Sequence, residues 1–132
     1  MGDPSRAAGA EAPRGEGTCP DGSAESLGVQ VLNLRRVAGG YMLDLRYRVL
    51  DPVQAADVVD RSGDLRLVDP VRGAEFRVPS PPKVGSLRQS TPRPERGRVY
   101  FALFANPGRF LRPGDPVTVR LGDRCRADVG VE

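Results

Sequence analysis

The chain alternates apolar and polar residues with a period of two, and glycine and proline interrupt that alternation at short intervals. In YMLDLRYRV, Tyr41, Leu43, Leu45, Tyr47 and Val49 fall on one side, and Met42, Asp44, Arg46 and Arg48 on the other. Successive side chains of an extended backbone point to opposite faces, so this pattern predicts a strand with one buried and one wet face. GVQVLNLRRV (28–37) predicts a second strand, with a slip near Leu32–Leu34 of the kind a β-bulge produces. Ala38-Gly39-Gly40 joins the two as a tight hairpin.

The same reading extends down the chain. LRLVD (65–69) and AEFRV (74–78) flank Pro70-Val71-Arg72-Gly73, a further hairpin signal. RVYFALF (98–104) is apolar on both faces, as a central strand would be. PVTVRLG (116–122) directs Val117, Val119 and Leu121 inward and Thr118 and Arg120 outward. CRADVGV (125–131) directs Cys125, Ala127, Val129 and Val131 inward. One stretch differs: Asp51 is a good N-cap and Pro52 suits the first helical position, so VQAADVVDRS predicts a short helix ended by Ser62-Gly63-Asp64.

About seven strands with turns every 8–12 residues predict an all-β fold. The expected form is an antiparallel immunoglobulin/fibronectin-III-like β-sandwich with one short helix, and a small closed barrel is the alternative. With no Trp, the chain lacks the Cys–Trp–Cys core of antibody domains. A length of 132 residues accommodates one such domain, expected over 27–132. Residues 1–26 hold no apolar side chain larger than Ala beyond Met1, and two Arg face five acids. Such a segment buries too little to offset its ordering entropy, which predicts a flexible acidic leader. It contains no apolar signal core.

Composition excludes much chemistry. Histidine is absent, which removes Ser-His-Asp and Cys-His nucleophiles and the commonest general base near neutral pH. Two Cys do not make a four-ligand zinc cage, and no cofactor site is expected. No apolar run reaches the roughly 20 residues of a membrane-spanning helix, so no membrane insertion is expected. All but one of the 20 basic residues are Arg, the exception being Lys83, and Ile is missing. That bias fits a GC-rich genome better than nucleic-acid binding, because the arginines are scattered and not interleaved with exposed aromatics. Asp57 and Asp60, three apart on the predicted helix, read as a solvated face rather than an acid/base pair.

The longest unpatterned segment is PSPPKVGSLRQSTPRPERG (79–97), with five Pro and a net charge of +3. It reads either as a docking loop or as a solvated crossover between sheets. On the docking reading, Val84 and Leu87 pin it to the core while Lys83, Arg88 and Arg96 meet an acidic protein partner, with Arg109 adding to them. ANPGRFLRPGDP (105–116) places Phe110 between two turns, either as an inserting tip or as a cover for one end of the sandwich.

YMLDLRYRVLDP (41–52), PPKVGSLRQ (81–89) and GRVYFALFANPGRFLRPGDPVTVRLGD (97–123) together resemble a group of small, functionally uncharacterised bacterial proteins. That group carries one β-rich domain behind a signal or anchor. The resemblance spans most of 29–132 and implies an exported protein of the periplasm or cell envelope. It supplies no catalytic residues. The expected function is a non-enzymatic binding or accessory module. The alternatives are a structural subunit joined by edge-strand pairing, and a small-ligand carrier with a pocket lined by Tyr41, Tyr47 and Phe101.

In an oxidising compartment Cys19 and Cys125 form a disulfide; otherwise Cys125 serves as a small buried hydrophobe. Alkylation of the protein from its native cells separates the two. An exported, clipped domain leaves no thiol to alkylate before reduction, whereas two alkylated thiols on a full-length chain mean a cytosolic protein.

Overall fold

The computed structural model describes residues 27–60, 63–83, 85–122 and 124–132. The expected leader, with Cys19, lies outside the described residues, as does Val84. Among the described residues there are seven strands: β1 (Val29–Val37), β2 (Met42–Val49), β3 (Leu65–Val68), β4 (Glu75–Arg77), β5 (Val99–Ala105), β6 (Pro116–Leu121) and β7 (Arg124–Gly130). One helix, α1 (Pro52–Val59), lies between β2 and β3. It is not long and apolar enough to cross a membrane. The strands form two antiparallel sheets, ordered β1-β2-β5 and β4-β3-β6-β7.

The two sheets enclose one apolar core. Leu43, Leu45, Tyr47 and Val49 of β2 face Phe76, Val117, Val119 and Leu121 of the other sheet within a single buried cluster. Tyr47 stacks on Tyr100 with ring centroids 6.1 Å apart. Burial pushes the Tyr47 phenol up to about 12, and the nearby Arg88 guanidinium pulls it back. The expected bulge in β1 is present: its pairing with β2 shifts between Val31 and Asn33. Asp51 caps α1, accepting from the amides of Val53 and Gln54 at 2.9 and 3.4 Å. The helix ends sooner than expected, and Asp60 is already extended.

Four side chains and one strand depart from the alternation. Tyr41 is 55% exposed, because it closes the 3₁₀ turn Ala38–Gly40 in a helical conformation and has not yet entered the pleat. RVYFALF forms β5, an edge strand of the three-stranded sheet rather than a central one. Residues 87–89 cover its free edge, with Leu103 N–H donating to Leu87 O at 2.9 Å and Gln89 N–H to Phe101 O at 3.0 Å. Thr118, expected outward, is buried, pairing across β3 with the equally buried Val68.

Cys125 and Ala127 also differ. The β6–β7 register shifts between Val117 and Val119, beside Asp128 with φ +60°. A one-residue slip moves every later side chain to the other face. Val129 therefore shares the inward face of Val117, but Cys125 pairs with the outward Arg120. Cys125 is buried on the outer face, apart from the core cluster, and is disulfide-bonded.

The β3–β4 hairpin is built on Asp69. Its carboxylate accepts from the amides of Val71 and Arg72 at 2.9 and 3.2 Å and from Arg72 Nε at 2.6 Å. Burial alone would raise the Asp69 carboxyl, but these donors outweigh it and hold it below its ordinary value. A lowered folded-state pKa stabilises the fold fully above the ordinary carboxylate value of about 3.9 and is lost as pH falls through the lowered one. Urea midpoints should therefore drop more steeply below about pH 4 in the wild-type protein than in Asp69→Asn.

Candidate functional site

The four basic residues singled out on sequence do not form one surface. Arg88 is 8% exposed and folds into the body. Its Nη1 donates to Gly63 O at 2.9 Å, and its Nη2 donates to Val58 O at the C-terminal end of α1. A guanidinium suits orphaned carbonyls at a helix C-terminus. Burial lowers the Arg88 pKa, and Tyr47 and Asp60 partly restore it. Arg88 is thus a clamp for loop 79–97, unavailable at a docking rim.

Arg96 and Arg109 sit at opposite ends of the sandwich. Arg96 donates to Leu50 O at 2.5 Å, just beyond the end of β2. Arg109 lies over the Tyr41 ring, 5.6 Å from its centroid, just before the start of β2. Eight strand residues at about 3.3 Å each put roughly 25 Å between them. Lys83 is exposed on the loop. Loop 79–97 itself is a strap: besides its contacts to β5, Thr91 N–H donates to Val59 O at 3.2 Å.

The charge that is concentrated lies at the Arg109 end, with partners the sequence did not suggest. Several described arginines are ion-paired along the sheets. Arg46 chelates Asp44 at 2.9 and 3.0 Å, Arg66 and Arg77 share Asp64 at 2.7 and 2.6 Å, and Arg98 meets Glu95 at 3.1 Å. Arg36, Arg109 and Arg112 make no ion pair with a described residue. These three, with Gly108 and Pro113, line one cleft of about 280 Å³ that has no carboxylate among the described residues of its lining. Asp115 is adjacent but accepts from the Arg112 amide at 2.9 Å and from Arg72 at 3.5 Å.

Each arginine is positioned for a physical reason. Arg36 lies two residues after the fully buried Leu34, on the same face of β1, so its stem enters the open end of the core. Its Nε is buried with no hydrogen-bond partner among the described residues. A Cβ on Gly40 would stand 2.1 Å from Arg36 Nη2 and 3.0 Å from Arg109 Cδ, so glycine is what lets both stems converge there. Arg109 has φ +55° and follows Gly108 at +65°. Two aromatics flank the cleft. Tyr41 underlies Arg109, and Phe110, 38% exposed, packs on Phe76 at 5.8 Å under Arg72 at 4.2 Å. Phe110 is therefore half a cover for the sandwich and half a free surface.

Asn106 holds this end together and is fully buried. Its Nδ2 donates to Gly40 O at 2.9 Å and to Leu111 O at 3.0 Å, and its Oδ1 accepts from Leu111 N–H at 2.9 Å. One amide thus ties the β5–β6 connection to the β1–β2 turn. Sequence reading placed Asn106 only as a turn residue; nothing local in Asn-Pro-Gly reveals that its carbonyl partner lies 66 residues away.

The ligand-carrier pocket does not assemble from its three rings. Tyr47 is in the core, Phe101 is on the outer face under Arg46 at 5.4 Å, and Tyr41 is on Arg109. Of the strand edges, β4 has only three residues, β5 is strapped by 87–89, and Glu132 N–H donates to Leu34 O on β1 at 2.8 Å. No family model, curated protein or solved structure significantly matches the chain.

Replacing Asn106 by Ala leaves a buried donor and two carbonyls unpaired, which should cost roughly 3 kcal/mol in chemical denaturation. Because the amide positions both turns, the variant should also broaden the amide resonances of residues 38–41 and 107–112 while leaving those of α1 unchanged.

Proposed function

We propose that the chain is a non-enzymatic binding module of fibronectin-III type, exported to the bacterial cell envelope, which captures an acidic partner at its arginine-rich end. The strand order supports the fold assignment. In the immunoglobulin constant arrangement the fourth strand joins the sheet of the first, second and fifth. Here it pairs with the third, giving β1-β2-β5 against β4-β3-β6-β7. Export is supported by the disulfide-bonded Cys125, since such bonds persist in oxidising compartments, and by the resemblance to exported bacterial proteins.

The observation that carries the function is the convergence of Arg36, Arg109 and Arg112 on one cleft without a compensating carboxylate among the described residues. Guanidiniums desolvated by a partner contribute far more than rim charges in water, and Tyr41 and Phe110 offer apolar contact beside them. Lys83, Arg93 and Arg96 are exposed on the strap and do not line the cleft. Their role is to steer acidic groups towards the domain rather than to hold them. Edge-strand assembly has no comparable observation behind it.

The test is to titrate the isotopically labelled full chain with two polyanions, polyglutamate and polyphosphate. Saturable shifts should centre on Arg36, Arg109 and Arg112. The triple variant R36Q/R109Q/R112Q should bind about tenfold or more weakly, whereas K83Q/R93Q/R96Q should mainly slow association and flatten its salt dependence. Shifts centred on 79–97, or equal losses in both variants, defeat the assignment.

A further inference from the structure

The geometry of the arginine cleft points to a narrower ligand class, and this inference rests on the reading of that end as the capture surface. We propose that Arg36, Arg109 and Arg112 bind a phosphomonoester dianion. Three monocations held around one cleft repel each other until an anion arrives, and no described side chain lining it supplies one. A carboxylate brings one charge and two oxygens, enough for a single guanidinium fork. A phosphomonoester brings close to two charges near neutral pH and three terminal oxygens, one for each fork.

Two further features fit a small tetrahedral ligand. Arg36 Nε is a buried donor without a partner among the described residues, so a ligand oxygen that reaches it gains an otherwise unmade bond. At about 280 Å³ the cleft holds on the order of nine waters, enough for a phosphate and the first few atoms of its alcohol. The stems are also preorganised. Asn106 fixes the two turns, Gly40 admits Arg36 and Arg109 side by side, and Tyr41 supports Arg109, so little ordering is left to offset on binding.

The probes are glycerol 3-phosphate and glutarate, two small dianions that differ in how their charge is presented, titrated calorimetrically into the full chain at matched ionic strength. Glycerol 3-phosphate should bind one-to-one and about tenfold or more tightly than glutarate. Arg109→Gln and Arg112→Gln lie on an exposed connection and should keep the melting temperature, yet each should weaken glycerol 3-phosphate about tenfold. Arg112→Lys should recover only part of this, since it restores charge without the fork. Equal or tighter binding of glutarate with the same dependence on Arg109 and Arg112 overturns the phosphate inference and leaves the capture surface standing. Glycerol 3-phosphate binding that ignores both substitutions overturns it as well. Loss of polyglutamate and polyphosphate binding at this end removes the capture reading itself. Flotation with vesicles identifies the source of the phosphate. Retention on phosphatidate but not phosphatidylglycerol assigns it to a lipid headgroup, and binding in solution without retention assigns it to a soluble ester.

Discussion

The end of the sandwich that carries the unpaired charge depends on one buried amide. Asn106 meets Gly40 and both backbone groups of Leu111, so the connection after β5 and the turn before β2 cannot move apart independently. A buried amide of this kind is favourable only when its donors and acceptors are paired, which makes it a sharp geometric constraint. Arg109 and Arg112 stand on the connection it fixes, and Gly40, which gives Arg36 its room, stands on the turn. The cleft is thus held by neutral hydrogen bonds, and its like charges are tolerated rather than required by the fold.

The long proline-rich segment solves a different problem. Leaving β4 in one sheet and returning as β5 in the other, the chain must cross the molecule, and it uses the crossing to cover the free edge of β5. Arg88 anchors the crossing by satisfying carbonyls at the end of α1 and beyond it. A guanidinium there does the work of a cap, with its charge partly balanced by the neighbouring Asp60. The strap's exposed charges, Lys83, Arg93 and Arg96, are then free to shape the long-range field without belonging to a site.

Arginine abundance gives no information about function until pairing is known. Across the outer faces the guanidiniums find Asp44, Asp64, Asp69 and Glu95, mostly within a few residues or across one hairpin. Exposed pairs of this kind contribute little stability, but they neutralise those surfaces. Arginines without an ion pair among the described residues are spread over the surface, but three of them converge on one cleft at one end. That convergence, rather than the net charge of +3, is the property on which the proposed capture rests.

Strand positions, the β1 bulge, the Asp51 cap and most of the core were legible in the sequence, because alternation, turn chemistry and capping are set by residues within a few positions of each other. Cys125 shows where that reading fails. A bulge around Asp128 inverts the face of the residues before it, and alternation cannot see an inserted residue whose only evidence is the pairing with β6. Tyr41 fails for a related reason, since turn backbone continues one residue beyond the glycines. The basic residues were legible as charges but not as a site. Arg88 and Arg96 proved bound to backbone carbonyls, and Arg36 and Arg112 joined Arg109 only once β1, the hairpin turn and the β5–β6 connection met at one end. Short-range sterics and hydrophobic periodicity determine the elements. Which charges are left without a partner depends on contacts between segments tens of residues apart, and only the tertiary structure decides those.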